Sequence, residues 1–223
     1  MQLKQAGQWL LDVLYPRRCP YCGSVIGFGT CSEACTRAAA AAQRPDGLAL
    51  SRESHTFGAL HAAWAPFAYV PPVQQAVLRI KFGQTCQHVP FYAQRLARTL
   101  TAACPDKPWD MLIPVPSYGK ERRGRTDLPL ETALRLGRLL GVPVRPRALA
   151  KIRETQRQMT LSAEERHTNV ARAFLAVPAV VRGRRILLVD DVITTGSTMS
   201  ACAEALLAAG AVQCDGAGIA AVP

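Results

Sequence analysis

Two adjacent carboxylates, Asp190 and Asp191, stand between an apolar run and a loop of small hydroxyl residues in the stretch ILLVDDVITTGST. The apolar run predicts a strand over Ile186–Val189 that is buried on both faces, and the residues after Gly196 predict a helix that is closed by Gly210. Because ligands of a parallel sheet bind beyond the carboxyl ends of its strands, this pattern places both acids in a ligand site. The arrangement favours binding chemistry over a purely structural role.

The loop after the acids has the composition of a phosphate site. Its residues are Thr194, Thr195, Gly196, Ser197 and Thr198. At the start of a helix, unpaired N–H groups and the helix dipole attract an anion, and hydroxyl groups add hydrogen-bond donors. Carboxylates would repel a phosphate, so we expect the two acids to bind sugar hydroxyls on the same ligand. The stretch predicts a ribose phosphate site; the alternative is that Thr195 or Ser197 simply caps the helix.

The hydrophobic pattern along the rest of the chain predicts strands that alternate with helices. Strands are expected within 57–70, 110–116 and 216–222. Helices are expected from Val73, over Tyr92–Ala103 and over Leu130–Leu140, the last with Gly141 as its stop. Such alternation predicts an α/β protein with a parallel sheet and helices on both of its faces.

Four cysteines, Cys19, Cys22, Cys31 and Cys35, form a C-x2-C-x8-C-x3-C pattern near the start of the chain. Two close pairs of thiolates suit the tetrahedral coordination of Zn²⁺, and such a site would fold a module that lacks a core of its own. Loss of the metal is then expected to unfold this module and little else. Disulfides, an iron–sulfur cluster and inert thiols are the alternatives that the spacing leaves open.

Composition shifts divide the chain into three parts. The cysteine pattern falls in an N-terminal module, residues 1–42. The adjoining stretch, residues 43–55, is rich in Pro, Gly, Asp and Ser and is predicted to be a connector. Residues 56–223 carry the alternating pattern and are predicted to form the α/β domain.

Charge points to an anionic partner. The chain has a formal net charge of +11, and the window from Lys120 to Arg185 holds 16 Lys and Arg against 6 Asp and Glu. A solvated basic face kept for solubility is the rival explanation.

No apolar run approaches the roughly 18 residues that a membrane span needs, and the first residues lack a signal-peptide pattern, so we predict a soluble, cytoplasmic protein without a membrane span.

The stretch ILLVDDVITTGST resembles the signature of type I phosphoribosyltransferases, which bind phosphoribosyl pyrophosphate. Four more segments are similar in order and content to the ComF family of competence-related phosphoribosyltransferase-like proteins: LLDVLYPRRCPYCG, YVPPVQQAVLRIKFG, LIPVPSYGKERRGR and RETQRQMTLSAEERHTNVARAF. The resemblance covers nearly the whole chain. It implies a type I phosphoribosyltransferase fold, a parallel sheet flanked by helices, with a small N-terminal zinc-binding module of four cysteines.

The resemblance also implies roles for individual residues. Asp190 and Asp191 would be the catalytic pair that holds the ribose hydroxyls, and Thr194 to Thr198 would hold the 5-phosphate. Residues implied to bind pyrophosphate are Pro114, Val115, Pro116, Ser117 and Lys120. Anion contacts from a hood that closes over the ligand are implied for Lys151, Arg153 and Arg166. Mg²⁺ would bridge the pyrophosphate oxygens and neutralise the leaving group.

One segment departs from the family pattern. The ComF family usually carries Arg-Gly-Phe-Asn-Gln after the pyrophosphate loop, whereas this chain has Arg-Gly-Arg-Thr-Asp at 123–127, soon followed by Pro129. The aromatic ring and the two amides are therefore missing from a segment that could contribute to an acceptor pocket or to helix packing.

Two hypotheses of different class follow. In the first, the protein is an enzyme that transfers a phosphoribosyl group from phosphoribosyl pyrophosphate to an unknown nitrogenous acceptor, in a process linked to DNA uptake and natural competence. In the second, it is a non-catalytic competence factor that keeps the ribose phosphate site for a nucleotide ligand and binds single-stranded DNA through its basic window. Either reading implies a competence helicase or other uptake machinery as a partner.

Overall fold

The computed structural model describes residues 16–27, 29–55, 57–83, 86–116, 126–152 and 173–223. The strands are β1 (Ala63–Trp64), β2 (Phe67–Ala68), β3 (Met111–Pro114), β4 (Leu149–Lys151), β5 (Phe174–Ala176), β6 (Arg185–Ile193) and β7 (Gln213–Ala221). The helices are α1 (Glu33–Ala41), α2 (Val73–Phe82), α3 (Val89–Ala103), α4 (Leu128–Leu140), α5 (Pro178–Val181) and α6 (Ser197–Ala208).

The main sheet is parallel throughout. Its strands lie in the order β1, β7, β6, β3, and β2 continues the edge beside β7 next to β1. Parallel neighbours require crossover connections, and the chain supplies them as helices on the two faces of the sheet. The predicted α/β class is confirmed.

Strand β6 lies inside the sheet, between β7 and β3, and helices cover both of its faces, so both faces are buried. Ile186 and Leu188 belong to the core under α6, whereas Leu187 and Val189 belong to the core under α3 and α4. Successive side chains of a strand point to opposite faces, so an unbroken apolar run suits this position. The prediction of a strand with two buried faces is confirmed.

The predicted end of that strand is wrong. Strand β6 continues beyond Val189 to Ile193, so Asp190 and Asp191 lie within it rather than beyond it. The ladder with β7 continues because its hydrogen bonds come from the backbone, and the facing residues there, such as Gly218 and Ala220, are small.

The helices follow the predicted pattern, with boundaries set by their caps. The side chain of Asp127 accepts a hydrogen bond from the Leu130 N–H, so α4 begins two residues earlier than predicted. Gly141 ends α4 in the left-handed conformation (φ 72°), which the absence of a side chain permits. The capping role of Asp127 gives a structural function to one residue of the segment that departs from the family pattern.

The edge of the sheet differs from its prediction. The pattern over 57–70 predicts a strand, but only the dipeptides β1 and β2 pair with β7. Outside them runs the segment predicted as a connector, which forms an antiparallel bridge between Gln43 and Phe67 and a hydrogen bond from the Leu50 N–H to the Ala63 carbonyl. Leu50 is buried, so this segment is part of the packed body.

Aromatic rings join the N-terminal module to the α/β domain. Tyr21 contacts Phe67, Phe91 and Tyr92 edge to face, with ring centroids 5.4 to 6.4 Å apart. Phe67 and Tyr92 belong to a core cluster that also contains residues of α2 and of the end of β7, and Tyr21 and Phe91 pack against this cluster. Among the described residues, none of the helices has both the length and the apolar character that crossing a bilayer requires.

Candidate functional site

The carboxylates of Asp190 and Asp191 face opposite sides of the sheet. Asp191 is 7% exposed and lies on the side of α2, whereas Asp190 is partly buried on the side of α6, close to Cys202. The Asp191 N–H donates a 2.8 Å hydrogen bond to Oδ1 of Asp190, and the Val192 N–H donates one to Oδ1 of Asp191. These bonds fix both side chains while leaving carboxylate lone pairs for a ligand.

Asp191 has a cationic partner that the sequence did not reveal. Nζ of Lys81, in the last turn of α2, lies 2.6 Å from Oδ2 of Asp191. Partial burial alone would lower the pKa of Lys81, but the Asp191 carboxylate outweighs it and raises that pKa above its usual value. Burial and the same carboxylate raise the pKa of the neighbouring Tyr69.

Asp190 is easily protonated. Burial, followed by the negative charge of Asp191, raises its pKa to about 8. The pair therefore combines a carboxyl group that contacts a lysine with one that takes up a proton near neutral pH. Perturbed carboxyl groups of this kind cluster at functional sites, although structural networks also produce them.

The loop between β6 and α6 begins the helix with glycine. Gly196 is the N-cap residue, adopts a left-handed φ of 83° and makes no side-chain cap. The N-cap residue is therefore neither Thr195 nor Ser197, although the Thr195 hydroxyl satisfies one N–H group of the first turn. Thr195 Oγ1 and Ser197 Oγ lie 2.8 Å apart, and the Ser197 N–H donates to Thr195 Oγ1.

The exposed hydroxyl groups of this loop surround the helix terminus. Thr194, Thr195, Ser197 and Thr198 are exposed, whereas Gly196 is buried. The N–H groups of the first helical turn have no partner within the helix, and together with the hydroxyls they can donate to an anion. Two residues separate Asp191 from the loop, which begins at the end of the same strand.

The carboxyl end of β3 lies beside this site. Pro114 pairs with Val189 of β6, and the Val115 N–H donates to the Val189 carbonyl. Pro116 follows, partly exposed, while the other two residues predicted to bind pyrophosphate, Ser117 and Lys120, lie outside the described residues. Prolines lack an N–H and that of Val115 is already used, so a pyrophosphate would depend on donors that come later in the chain.

Only one of the three predicted hood residues can be placed. Lys151 ends β4, on the α6 side, and is close enough to the buried Cys202 to oppose the rise of the Cys202 pKa that burial causes. Arg153 and Arg166 lie outside the described residues. Strands β4 and β5 pair in antiparallel orientation, and Arg153 and Arg166 lie between them in the sequence.

The four cysteines predicted to bind a metal come together. Their Sγ atoms all lie within 4.8 Å of one another, with 3.8 Å between Cys19 and Cys35 and 3.3 Å between Cys22 and Cys31. A tetrahedral zinc site with Zn–S bonds of about 2.3 Å separates its sulfurs by about 3.8 Å. All four cysteines are free, since a disulfide would require about 2.05 Å between sulfurs. The cluster can therefore bind a metal ion.

The pKa values of the sulfurs differ within the cluster. A hydrogen bond from the side chain of Ser24 is the main cause that lowers the pKa of Cys22 to about 6, which favours the thiolate form that binds metals. A hydrogen bond with Cys22 raises the pKa of Cys31, and burial raises that of Cys35. The N–H of Cys35 donates to Oγ of Ser32, the N-cap of α1, so this helix fixes the position of the fourth ligand.

Comparison with known proteins found a domain family and a solved structure that resemble parts of this chain. The sequence matches the phosphoribosyl transferase domain family over residues 134–221, a range that contains both carboxylates and the loop before α6. The purine phosphoribosyltransferase of Pyrococcus horikoshii is 22% identical, with a TM-score of 0.39, over 61% of this chain and 75% of that one.

Two curated relatives have related names. Competence protein F of Haemophilus influenzae is 36% identical over 144 residues, which cover 59% of this chain and 60% of that protein. DNA utilization protein YhgH of Escherichia coli K12 is 32% identical over 155 residues, which cover 64% of each. The chain thus spans less than two thirds of either relative. Residues 134–221 match the phosphoribosyl transferase domain family, and the chain is similar over part of its length to competence protein F and the YhgH proteins, as the resemblance to the ComF family predicts.

Proposed function

We propose that the protein binds phosphoribosyl pyrophosphate and transfers its phosphoribosyl group to a nitrogenous acceptor. The observation that carries this proposal is that the Asp190–Asp191 pair in β6 is followed, after two further residues, by a hydroxyl-rich loop whose helix N-cap is glycine. The loop from Thr194 to Thr198 would bind the 5-phosphate, and the carboxylates would accept hydrogen bonds from the ribose hydroxyls. The names of the relatives suggest that the reaction serves the use of external DNA.

The residues would act mainly by holding the sugar and stabilising charge. Two carboxylates near the ribose stabilise positive charge that develops on the ring as the bond to pyrophosphate breaks. Mg²⁺, which prefers oxygen ligands, would arrive with the pyrophosphate and neutralise it. Residues Ser117, Lys120, Arg153 and Arg166 stay predictions for binding pyrophosphate and for closing over the ligand, as do Pro114 to Pro116 and Lys151.

The decisive experiment measures pyrophosphate release from phosphoribosyl pyrophosphate and Mg²⁺ in the presence of a panel of nitrogenous bases. Release that Asp190→Asn and Asp191→Asn each abolish is the expected result. A parallel thermal-shift titration with phosphoribosyl pyrophosphate separates binding from turnover, because a ligand of the native state raises its melting temperature. No shift at millimolar ligand would contradict the binding proposal, and a shift without release would leave a binding protein.

For the N-terminal module, residues 1–42, we propose structural zinc as the metal. Four thiolates in a closed tetrahedral arrangement, with no position left for substrate, are typical of structural sites. The metal content of the purified protein, measured by mass spectrometry, should be one zinc per chain, and iron with inorganic sulfide would overturn this assignment.

A second candidate function is single-stranded DNA binding without catalysis. Its support is the basic surface at the amino ends of the strands, where Arg182, Arg184 and Arg185 are exposed, together with the names of the relatives. Binding of a labelled oligonucleotide should then weaken steeply between 50 and 200 mM salt, by about tenfold or more for several neutralised phosphates. Binding that ignores salt, or none at all, would exclude it.

A further inference from the structure

The contact between Lys81 and Asp191 joins two distant parts of the chain at the carboxylate pair. Lys81 belongs to α2, packed on the opposite face of the sheet from α6, and its ammonium group lies 2.6 Å from Asp191. The side chain of Lys81 is 37% exposed and that of Asp191 is 10% exposed, so the ion pair has one side open to solvent. The Lys81 carbonyl also accepts a hydrogen bond from the Thr126 N–H, which belongs to the segment 123–127 that departs from the family pattern.

An anionic ligand makes the charge of this site a problem. An ionised carboxylate would repel a sugar that carries several phosphates, and a phosphate bound at the α6 terminus would lie within a few residues of the pair. The charged and titratable groups around the pair are few among the described residues: Tyr69 and Lys81 on the α2 side, and Cys202 and Lys151 on the α6 side. Lys81 is the cation that contacts a carboxylate of the pair directly.

We propose that Lys81 is a positioning residue of the sugar phosphate site, where its ammonium group fixes the orientation of Asp191 and offsets the negative charge that the carboxylate pair presents to the ligand. This inference rests on the proposed function. A carboxylate has lone pairs for more than one donor, so Asp191 can keep Lys81 and accept a ribose hydroxyl at the same time. Lys81 also lowers the pKa of Asp190, which favours the form that accepts hydrogen bonds.

An ion pair with a merely structural role would behave differently. It would affect stability, and any loss of binding in its absence would be the same at every pH. An electrostatic role instead couples ligand affinity to the protonation of Asp190, whose pKa rises further when the nearby cation is removed. The pH dependence of binding therefore distinguishes the two.

The experiment measures the affinity for phosphoribosyl pyrophosphate with Mg²⁺ by calorimetry from pH 6 to pH 9. Lys81→Met should weaken binding about tenfold near neutral pH and move the rise of affinity to higher pH. Lys81→Arg, which keeps the charge, should restore most of the affinity. Arg138→Met removes a cation from the last turn of α4, away from the site, and should change nothing. Lys81→Gln, which keeps a hydrogen-bond donor, repeats the test if Lys81→Met does not fold.

Unchanged affinity in Lys81→Met, or a loss that is equal at every pH, would overturn the inference. A wild-type protein that does not bind phosphoribosyl pyrophosphate at all would refute the proposed function instead. In that case a carbon-13 NMR titration of the Asp190 carboxyl decides separately for Lys81. A higher pKa of Asp190 in Lys81→Met supports the electrostatic role, and an identical titration in both proteins contradicts it.

Discussion

The hydroxyl group of Tyr92 donates a 2.9 Å hydrogen bond to the carbonyl oxygen of Pro20, which lies between the first two cysteines of the N-terminal module. Burial raises the pKa of Tyr92 far above its usual value, so this hydroxyl stays protonated and able to donate. Tyr21, the next residue, packs against the ring of Tyr92. The module and helix α3 therefore share one buried contact surface.

Removal of the metal should therefore affect more than the module. Without a metal the four cysteines lose their common centre, Pro20 and Tyr21 lose their fixed positions, and Tyr92 loses its partner. Hydrogen exchange followed by mass spectrometry should show faster exchange in residues 16–42 and also in the part of α3 around Tyr92 after treatment with a chelator. The sequence alone predicts that little besides the module would unfold, so the exchange rate around Tyr92 distinguishes the two predictions.

Cysteine variants provide the control for this prediction. Cys22→Ser should lose the metal and reproduce the exchange pattern of the chelated protein. Cys104→Ser removes a thiol outside the cluster and should keep both the metal and the slow exchange. Fast exchange that stops at the boundary of the module would show that the shared surface does not couple the two parts.

Asp190→Asn should stabilise the protein near neutral pH. The pKa of Asp190 is about 8 in the folded protein and near 3.8 when unfolded, so between these values the folded state holds a proton that the unfolded state releases. Stability then falls as the pH rises through this window, and is constant above it. Asparagine resembles the protonated acid at every pH, so the variant should gain at least about 1 kcal/mol at pH 8.

Urea unfolding at intervals from pH 4 to pH 9 measures this effect. The difference in unfolding free energy between variant and wild type should grow with pH and level off near pH 8. If the unfolding free energies of variant and wild type differ by the same amount at every pH, Asp190 is ionised in the folded protein at neutral pH.

Asp191→Asn should have the opposite effect on stability. The substitution leaves the ammonium group of Lys81 without its carboxylate in a partly buried position, and such losses are costly when the remaining charge cannot reach water. Because Lys81 is partly exposed, we expect a loss of about 1 to 3 kcal/mol rather than the full cost of a buried charge. Urea unfolding at pH 7 tests this, and the double variant Lys81→Met/Asp191→Asn should recover part of the loss.

Gly196→Ala should abolish ligand binding, and its loss of stability alone should not explain this effect. Both Gly196 and Gly183 adopt positive φ angles, of 83° and 71°, so an alanine at either position is strained by about 1 to 2 kcal/mol. A methyl group at position 196 would also stand at the helix terminus where we expect a phosphate. Gly183 lies in a turn with open space around it and serves as the matched control.

Thermal shift with phosphoribosyl pyrophosphate compares the two glycine variants. Both should melt at lower temperature than the wild type, but only Gly183→Ala should still be stabilised by the ligand. Equal stabilisation of the two variants would place the phosphate elsewhere.

The central part of the site was predictable because it is local in sequence. An apolar run, two acids and a hydroxyl-rich loop follow one another within thirteen residues, so the run predicts the strand and the loop predicts the start of the helix. The end of β6 was not predictable, since a polar pair normally signals the end of a buried strand. Its extension depends on the small residues of β7 beside it, which no local pattern in β6 reveals.

Lys81 was missed for a related reason. A single lysine near the end of a helix is adequately explained by the helix dipole, and nothing in its own segment indicates a carboxylate partner 110 residues away. Similarly, β1 and β2 are too short to carry a strand period, so their place at the sheet edge came only from tertiary structure. The four cysteines were different, because their spacing itself encodes the cluster.

The segment that pairs with the outer side of β1 and β2 has a consequence for handling the protein. Exposed strand edges template intermolecular pairing and aggregation, and here the backbone of residues 42–50 covers that edge through hydrogen bonds with Ala63, Pro66 and Ala68. A shortened protein that starts at residue 56 would leave this border uncovered. Such a fragment should self-associate, so we expect residues 42–50 to protect the intact protein from polymerisation.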